Sequence, residues 1–114
     1  QDIGGIRVLA KQVEADSMQT LRGLAQSLRY QLESGIAWLA ADLDGKGSLI
    51  CVVTDDLVGK GLQANELVNS VAALANGRGG GKADFAQAGV KALNKLPDAL
   101  AAAPDIAREQ LAAT

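Results

Sequence analysis

Histidine is absent from this 114-residue chain. That absence removes the side chain that most often moves protons near neutral pH, and the commonest metal ligand with it. Cys51 is the single cysteine, so no internal disulfide can form. It lies within Leu49-Ile50-Cys51-Val52-Val53, where it reads as a small core hydrophobe, and a cytoplasmic setting is the consistent expectation. Aromatics make up only 3% of the residues, so the core must come from the Leu, Val, Ile and Ala that dominate a 48% apolar content. No apolar run approaches the ~20 residues of a membrane helix, and no charged-then-apolar leader opens the chain. The first residue is Gln1 rather than methionine, which leads us to expect a piece of a longer protein. Asp55-Asp56 is an adjacent carboxylate pair on a turn, better suited to solvent than to magnesium, which gathers oxygens from separated positions. The sequence therefore offers no catalytic residue, no metal site and no cofactor site.

Charge is scarce in total and uneven in placement. The formal net charge is −2, which argues against indiscriminate binding to polyanions. Residues 76–96 nevertheless carry Arg78, Lys82, Lys91 and Lys95 against Asp84 alone, a local +3 that leaves −5 for the remainder. A basic patch on an acidic body suits one defined anionic partner, although a solvated basic turn would look the same.

The basic residues frame the most unusual segment, Gly77-Arg78-Gly79-Gly80-Gly81-Lys82. Glycine loses more backbone freedom on folding than any other residue, so four in five positions need a reason. Gly77 follows the apolar helical pattern Leu67, Val68, Val71, Ala72, Ala75, and can serve as a left-handed helix cap. The other three glycines imply either a tight turn or a backbone that something approaches closely. Neither common phosphate motif fits. Lys82 is followed by Ala83 rather than Ser or Thr, and a helix rather than a strand enters the glycines.

The periodicities along the chain predict β-α-β-β-α-(glycine loop)-β-α. Gly5–Lys11 has the alternation and branched residues of a strand. Asp16 or Ser17 then caps a helix with Met18, Leu21, Leu24, Ala25, Leu28 and Leu32 on one face. Ile36–Ala41 and Ser48–Thr54 read as strands flanking Asp44-Gly45, a strong hairpin turn signal. Trp38 sits inside the first of these and reads as core rather than as a stacking platform. Asp55–Gly61 is a connection with room for one helical turn. Either Asn65 or Gln63 begins the second long helix. Asp84–Ala88 reads as a short strand at the sheet edge. Pro97 suits the first turn of a terminal helix, which Pro104 should break or restart after Ala103. The expected architecture is a single α/β domain over 1–114, with about four strands packed against helices and an exposed glycine-rich loop before the last edge strand.

The segment from Gly77 through Lys82 to Ala83-Asp84-Phe85-Ala86-Gln87-Ala88-Gly89 resembles the signature of the C-terminal globular domain of alanyl-tRNA synthetases, the DHHA1-type domain. Asp16–Arg22, Ser48–Thr54 and Leu62–Val68 resemble the same domain in the same order, so the likeness covers nearly the whole chain. Ala83 stands where the family usually has proline, and Val90 where it usually has a second glycine. The resemblance implies a non-catalytic tRNA-binding module that contacts the elbow of tRNA(Ala), where the D and T loops meet, and links aminoacylation with editing. It implies the catalytic and editing domains of a parent alanine-tRNA ligase as further partners, with no membrane involved. The editing domain of these synthetases carries a histidine- and cysteine-based zinc site, which this chain cannot supply.

The candidate RNA-binding residues are Gly77, Arg78, Gly79, Gly80, Gly81, Lys82, Gln87 and Lys91. Glycine backbone offers N–H donors and a flat approach for unstacked bases. Arg78 can stack or bond bidentately, and Lys82 and Lys91 can neutralise phosphates. Gln87 carries both donor and acceptor, for a base edge or ribose hydroxyl or for a structural bond to the glycine loop. Two alternatives stay open: a protein-interaction or homodimerisation module with weak RNA affinity, and the substrate-binding domain of a DHH-type phosphoesterase. DHH phosphoesterases tend to place histidine directly after the glycines, where this chain has Lys82, and that difference favours the synthetase branch.

Overall fold

The computed structural model describes residues 2–3 and 5–113. A short β1 (Asp2–Ile3) and β2 (Ile6–Gln12) open the chain, followed by α1 (Met18–Gln31), β3 (Gly35–Leu43) and β4 (Lys46–Val53). One helical turn, α2 (Asp55–Val58), leads to α3 (Ala64–Ala72), β5 (Gly77–Gly81), β6 (Phe85–Val90) and the terminal α4 (Leu96–Ala113). The six strands form one sheet in the order β1-β2-β3-β4-β6-β5. Only β2 and β3 run parallel, joined by α1 as a crossover; every other neighbour is antiparallel.

Helices cover both faces at the centre of the sheet, which is why β3 is buried without interruption from Gly35 to Ala41. On one face Leu21 and Ala25 of α1 pack against Ala37, Leu39, Ala41, Ile50 and Val52. On the other, α3 and α4 pack against Ile36, Trp38, Ala40, Leu49, Cys51 and Val53. Trp38 is fully buried, and its indole N–H donates to the Leu67 carbonyl at 3.2 Å. The core expectation for Trp38 and Cys51 holds. Burial also pushes the Cys51 thiol well above its ordinary pKa.

Local signals mostly land where the sequence placed them. Ser17 caps α1, its hydroxyl accepting from the Thr20 N–H at 3.2 Å, while Thr20 donates to Asp16 at 2.7 Å. That bond, above all, lowers the Asp16 pKa. Asp44 and Gly45 both take positive φ, 54° and 84°, which is the primed hairpin turn an Asp-Gly pair favours. Gln63, not Asn65, is the cap residue of α3.

Four expectations are corrected. Asn76 takes the left-handed position after the second long helix, with φ 57°, so Gly77 is not the cap. Asparagine tolerates that region because its short polar side chain bonds locally. The glycine run, exposed as expected, is an extended strand rather than a loop. It forms the edge of the sheet, which moves β6 one place inward and raises the strand count above four. Finally, α4 continues through Pro104. Proline removes one helical hydrogen bond, at a cost of about 3 kcal/mol. The stripe Leu96, Ala99, Leu100, Ala103 and Ala107 is buried on both sides of Pro104, and that packing offsets the loss.

Candidate nucleic-acid interface

The edge strand β5 has almost no side chains, and its neighbours explain why. Antiparallel pairs alternate between residues that exchange hydrogen bonds and residues that do not. The bond from Lys82 N–H to the Phe85 carbonyl at 2.9 Å, and that from Lys91 N–H to the Asn76 carbonyl, set the phase. Gly80 and Arg78 then bond Gln87 and Gly89 of β6, while Gly77, Gly79 and Gly81 turn their N–H and C=O groups to the open edge. A Cβ on Gly79 would lie 2.0 Å from the Gln87 carbonyl oxygen, and one on Gly77 2.2 Å from that of Gly89. Only glycine permits so close an approach. Gly80 differs: a Cβ there would meet nothing within 4 Å.

Asn69 of α3 closes the outer side of Gly79. Its side-chain oxygen accepts from the Gly79 N–H and its nitrogen donates to the Gly79 carbonyl, both at 2.8 Å. The same nitrogen also donates to the Asn65 carbonyl at 2.9 Å, so α3 and β5 are joined through one carboxamide. Edge strands left unpaired recruit other strands, and this contact occupies the middle of the edge.

On the opposite face, α1 lies over β3 and β4 and leaves β6 and β5 projecting beyond it. The floor there is Gln87 and Gly89 beside exposed Gly79, Gly80 and Gly81. Met18 and Gln26 of α1 border it on one side, and Lys46 stands at one end. Arg22, one turn from each of them, donates from Nε to Gln87 Oε1 at 2.9 Å. Arg78 and Lys91 line a depression with Lys46 at that end; Lys82 stands at the other. Asp84, the acidic residue nearest the glycines in sequence, is held by Arg29 at 3.4 Å. The eight candidate residues thus lie along β5, β6 and the residues that directly follow each strand, with Arg78, Lys82 and Lys91 all exposed. The Gln87 side chain bonds Arg22, while only its backbone bonds the glycine run.

Arg22, Lys46 and Asn69 are absent from the sequence-derived set. Arg22 and Asn69 sit in amphipathic helices where nothing local separates them from ordinary solvated positions. Lys46 follows the hairpin turn, and only the pairing of Gly47 with Val90 brings it beside β6.

Asp55 and Asp56 are both partnered inside the protein. Asp55 is paired with Arg29, whose Nε also donates to the Val53 carbonyl at 3.0 Å. Asp56 accepts from Ser34 at 2.6 Å and from Thr54 at 2.5 Å, and the Thr54 hydroxyl accepts from the Gly35 N–H. These two hydroxyls, Ser34 first, hold the Asp56 carboxyl below the usual aspartate range. Among the described residues no group of three or more acidic or cysteine side chains is placed to hold a metal ion.

The DHHA1 domain family matches residues 5–109 of this chain. The chain belongs to the DHHA1 domain family. The alanine–tRNA ligase of Geobacillus thermodenitrificans is 47% identical over 100 residues, which cover 88% of this DHHA1 chain and 11% of that protein. The corresponding enzyme of Chromohalobacter salexigens is 47% identical over 104 residues, covering 91% and 12%. The chain thus spans only about a ninth of the length of these relatives. Among solved structures, the C-Ala domain from Aquifex aeolicus alanyl-tRNA synthetase superposes with a TM-score of 0.78 at 29% identity, covering 88% of this chain and 89% of that one. The α/β fold expected from the sequence is therefore shared with the C-Ala domain, and the chain is similar to the C-terminal module of a synthetase. No helix of its described residues is long and apolar enough to cross a membrane.

Proposed function

We propose that this chain is the non-catalytic tRNA-binding module of an alanyl-tRNA synthetase, and that it grips the elbow of tRNA(Ala). On this reading residues 1–114 are one RNA-binding domain of a longer cytoplasmic ligase. The module holds a single tRNA within reach of both the catalytic and the editing domains. The observation that carries the proposal is the exposed glycine strand beside a floor that α1 leaves uncovered. Unstacked loop bases can lie against backbone there, and RNA loops are recognised through splayed bases of this kind. Arg78, Lys82 and Lys91 stand where phosphates flanking such a base would pass, and Gln87 can read a base edge or ribose hydroxyl. Lys82, where phosphoesterases of the resembling family tend to carry histidine, favours phosphate as a binding determinant over phosphate as a reactant.

A gel-shift series with tRNA against a DNA duplex of equal charge, at rising salt, tests the proposal. Preference for tRNA that persists as salt rises supports it. The second reading, a protein-interaction or homodimerisation module, is favoured by the −5 carried outside residues 76–96. Equal, weak, salt-sensitive binding to both nucleic acids would move that reading ahead.

A further inference from the structure

The bond between Arg22 and Gln87 determines which half of the Gln87 amide faces a ligand. A glutamine amide offers an oxygen that accepts and a nitrogen that donates twice. Arg22 Nε occupies the oxygen at 2.9 Å, and among the described residues the nitrogen has no hydrogen-bond partner. Arg22 itself makes no ion pair among the described residues, and a guanidinium holds further N–H donors beyond Nε. The centre of the floor therefore presents donors: the Gln87 amide nitrogen and the remaining N–H groups of Arg22. The surroundings reinforce this. Lys46, Arg78, Lys82 and Lys91 ring the floor. Asp84 is engaged by Arg29, and among the bordering side chains Gln26 and Ser48 can either donate or accept.

Resting on the tRNA-binding reading above, we propose that Arg22 is the specificity-determining residue of this surface, because it fixes Gln87 as a donor. The ligand at the floor is then an acceptor group of RNA: the oxygen and ring-nitrogen edge of a base, or a phosphate oxygen. An exocyclic amine of adenine or cytosine would face the Gln87 nitrogen and the guanidinium, with acceptors only in the partly engaged Gln87 oxygen and at Gln26 and Ser48, and is disfavoured. Arg22 also explains how a neutral amide can discriminate at all. A freely rotating glutamine accepts either polarity, whereas a held one does not.

The test is tRNA binding by the whole chain, with the melting temperature of each variant recorded. Arg22→Lys keeps the charge but loses the planar fork. If Arg22 acted only as a charge, affinity would be unchanged. We expect instead a loss of about fivefold to tenfold, the size of one net hydrogen bond. Gln87→Met, which keeps length and removes the amide, should lose a similar factor, and the two losses should not multiply in the double variant. Two further arms identify the acceptor. If it is phosphate, Arg22→Met should flatten the salt dependence by roughly 0.7–0.9 of a unit of slope. If it is a base edge, the slope stays, and a transcript carrying 7-deazaguanosine should weaken wild type but not Gln87→Met. Either result supports the proposal. Wild type that binds tRNA while Arg22→Lys and Gln87→Met bind equally well overturns it and leaves the tRNA-binding reading standing. Wild type that does not prefer tRNA removes both.

Discussion

Asn69 and Gly79 are bonded twice, N–H to oxygen and nitrogen to carbonyl, each at 2.8 Å. The pair ties a helix on one side of the sheet to the backbone of a strand whose one side chain, Arg78, is exposed. A glycine strand is entropically expensive to hold extended, and this clamp supplies an anchor at its midpoint. Asn69→Leu should destabilise the domain by about 1–2 kcal/mol, two neutral hydrogen bonds at about half to one each. Amide hydrogen exchange should accelerate at Gly79 more than at Ile50. Unchanged protection at Gly79 would mean that its N–H does not depend on the bond to Asn69.

Adjacent glycines should respond oppositely to the same change. Gly79→Ala places a methyl group on the Gln87 carbonyl and should lower stability by more than about 1 kcal/mol, since the backbone must move. Gly80→Ala points into open space and should shift stability by no more than about 0.5 kcal/mol. Gly80→Val is then the informative variant for function. It should keep the wild-type melting temperature within a few degrees, and it should weaken tRNA binding more than loss of either Arg78 or Lys82, because its branched side chain stands where a base must approach. A folded Gly80→Val that binds tRNA normally would make the glycine strand scaffolding.

The contrast between Gly79 and Gly80 marks how far the sequence could be read. Strands, helices and the hairpin followed from periods of two and 3.6 and from Asp44-Gly45, because each signal is local. The glycine run stood out by composition, yet its state as a strand depends on pairing with β6, and strand formation by glycine contradicts local propensity. Pro104 was misread for a related reason: buried Ala103 and Ala107 override a local helix breaker. At the candidate site, Arg78, Lys82 and Gln87 were legible because they border the glycines in sequence. Arg22 lies 65 residues from Gln87 and meets it only in the fold.

Charge deletions at the rim should separate steering from contact. Arg78→Ala and Lys82→Ala should each weaken tRNA binding by on the order of 1 kcal/mol, and each lost phosphate contact should flatten the salt slope by about one unit. Lys11→Ala is the control: Lys11 is exposed on β2, two strands before β4 and far along the sheet from β5. Equal losses for all three variants would mean general charge rather than a site.

The thiol of Cys51 should be inert in the folded protein. It is fully buried between α3 and the sheet, with its pKa pushed up by burial, and thiolate is the reactive form. A thiol reagent at neutral pH should label it only after denaturant unfolds the chain. Rapid labelling without denaturant would mean that β4 opens locally.

The acid side of the stability profile should report on Asp56. Its carboxylate accepts from Ser34 and Thr54, and through Thr54 it connects to the Gly35 N–H, so α2 is fixed to the entry of β3. Those bonds favour the charged form, so its folded pKa lies below the ordinary aspartate value of 3.8. A depressed carboxyl pKa adds stability above the unfolded value, and that stability fades as pH falls toward the folded value. Asp56→Asn keeps the shape but replaces one acceptor oxygen with a donor facing a hydroxyl. Denaturant titrations should therefore show wild type more stable than Asp56→Asn by a constant margin from about pH 7 to about pH 5. The margin should then shrink as pH falls below 3.8, where wild type loses its charge as well. A margin that persists undiminished well below that value would assign the loss to altered shape at α2, and not to the charge on Asp56.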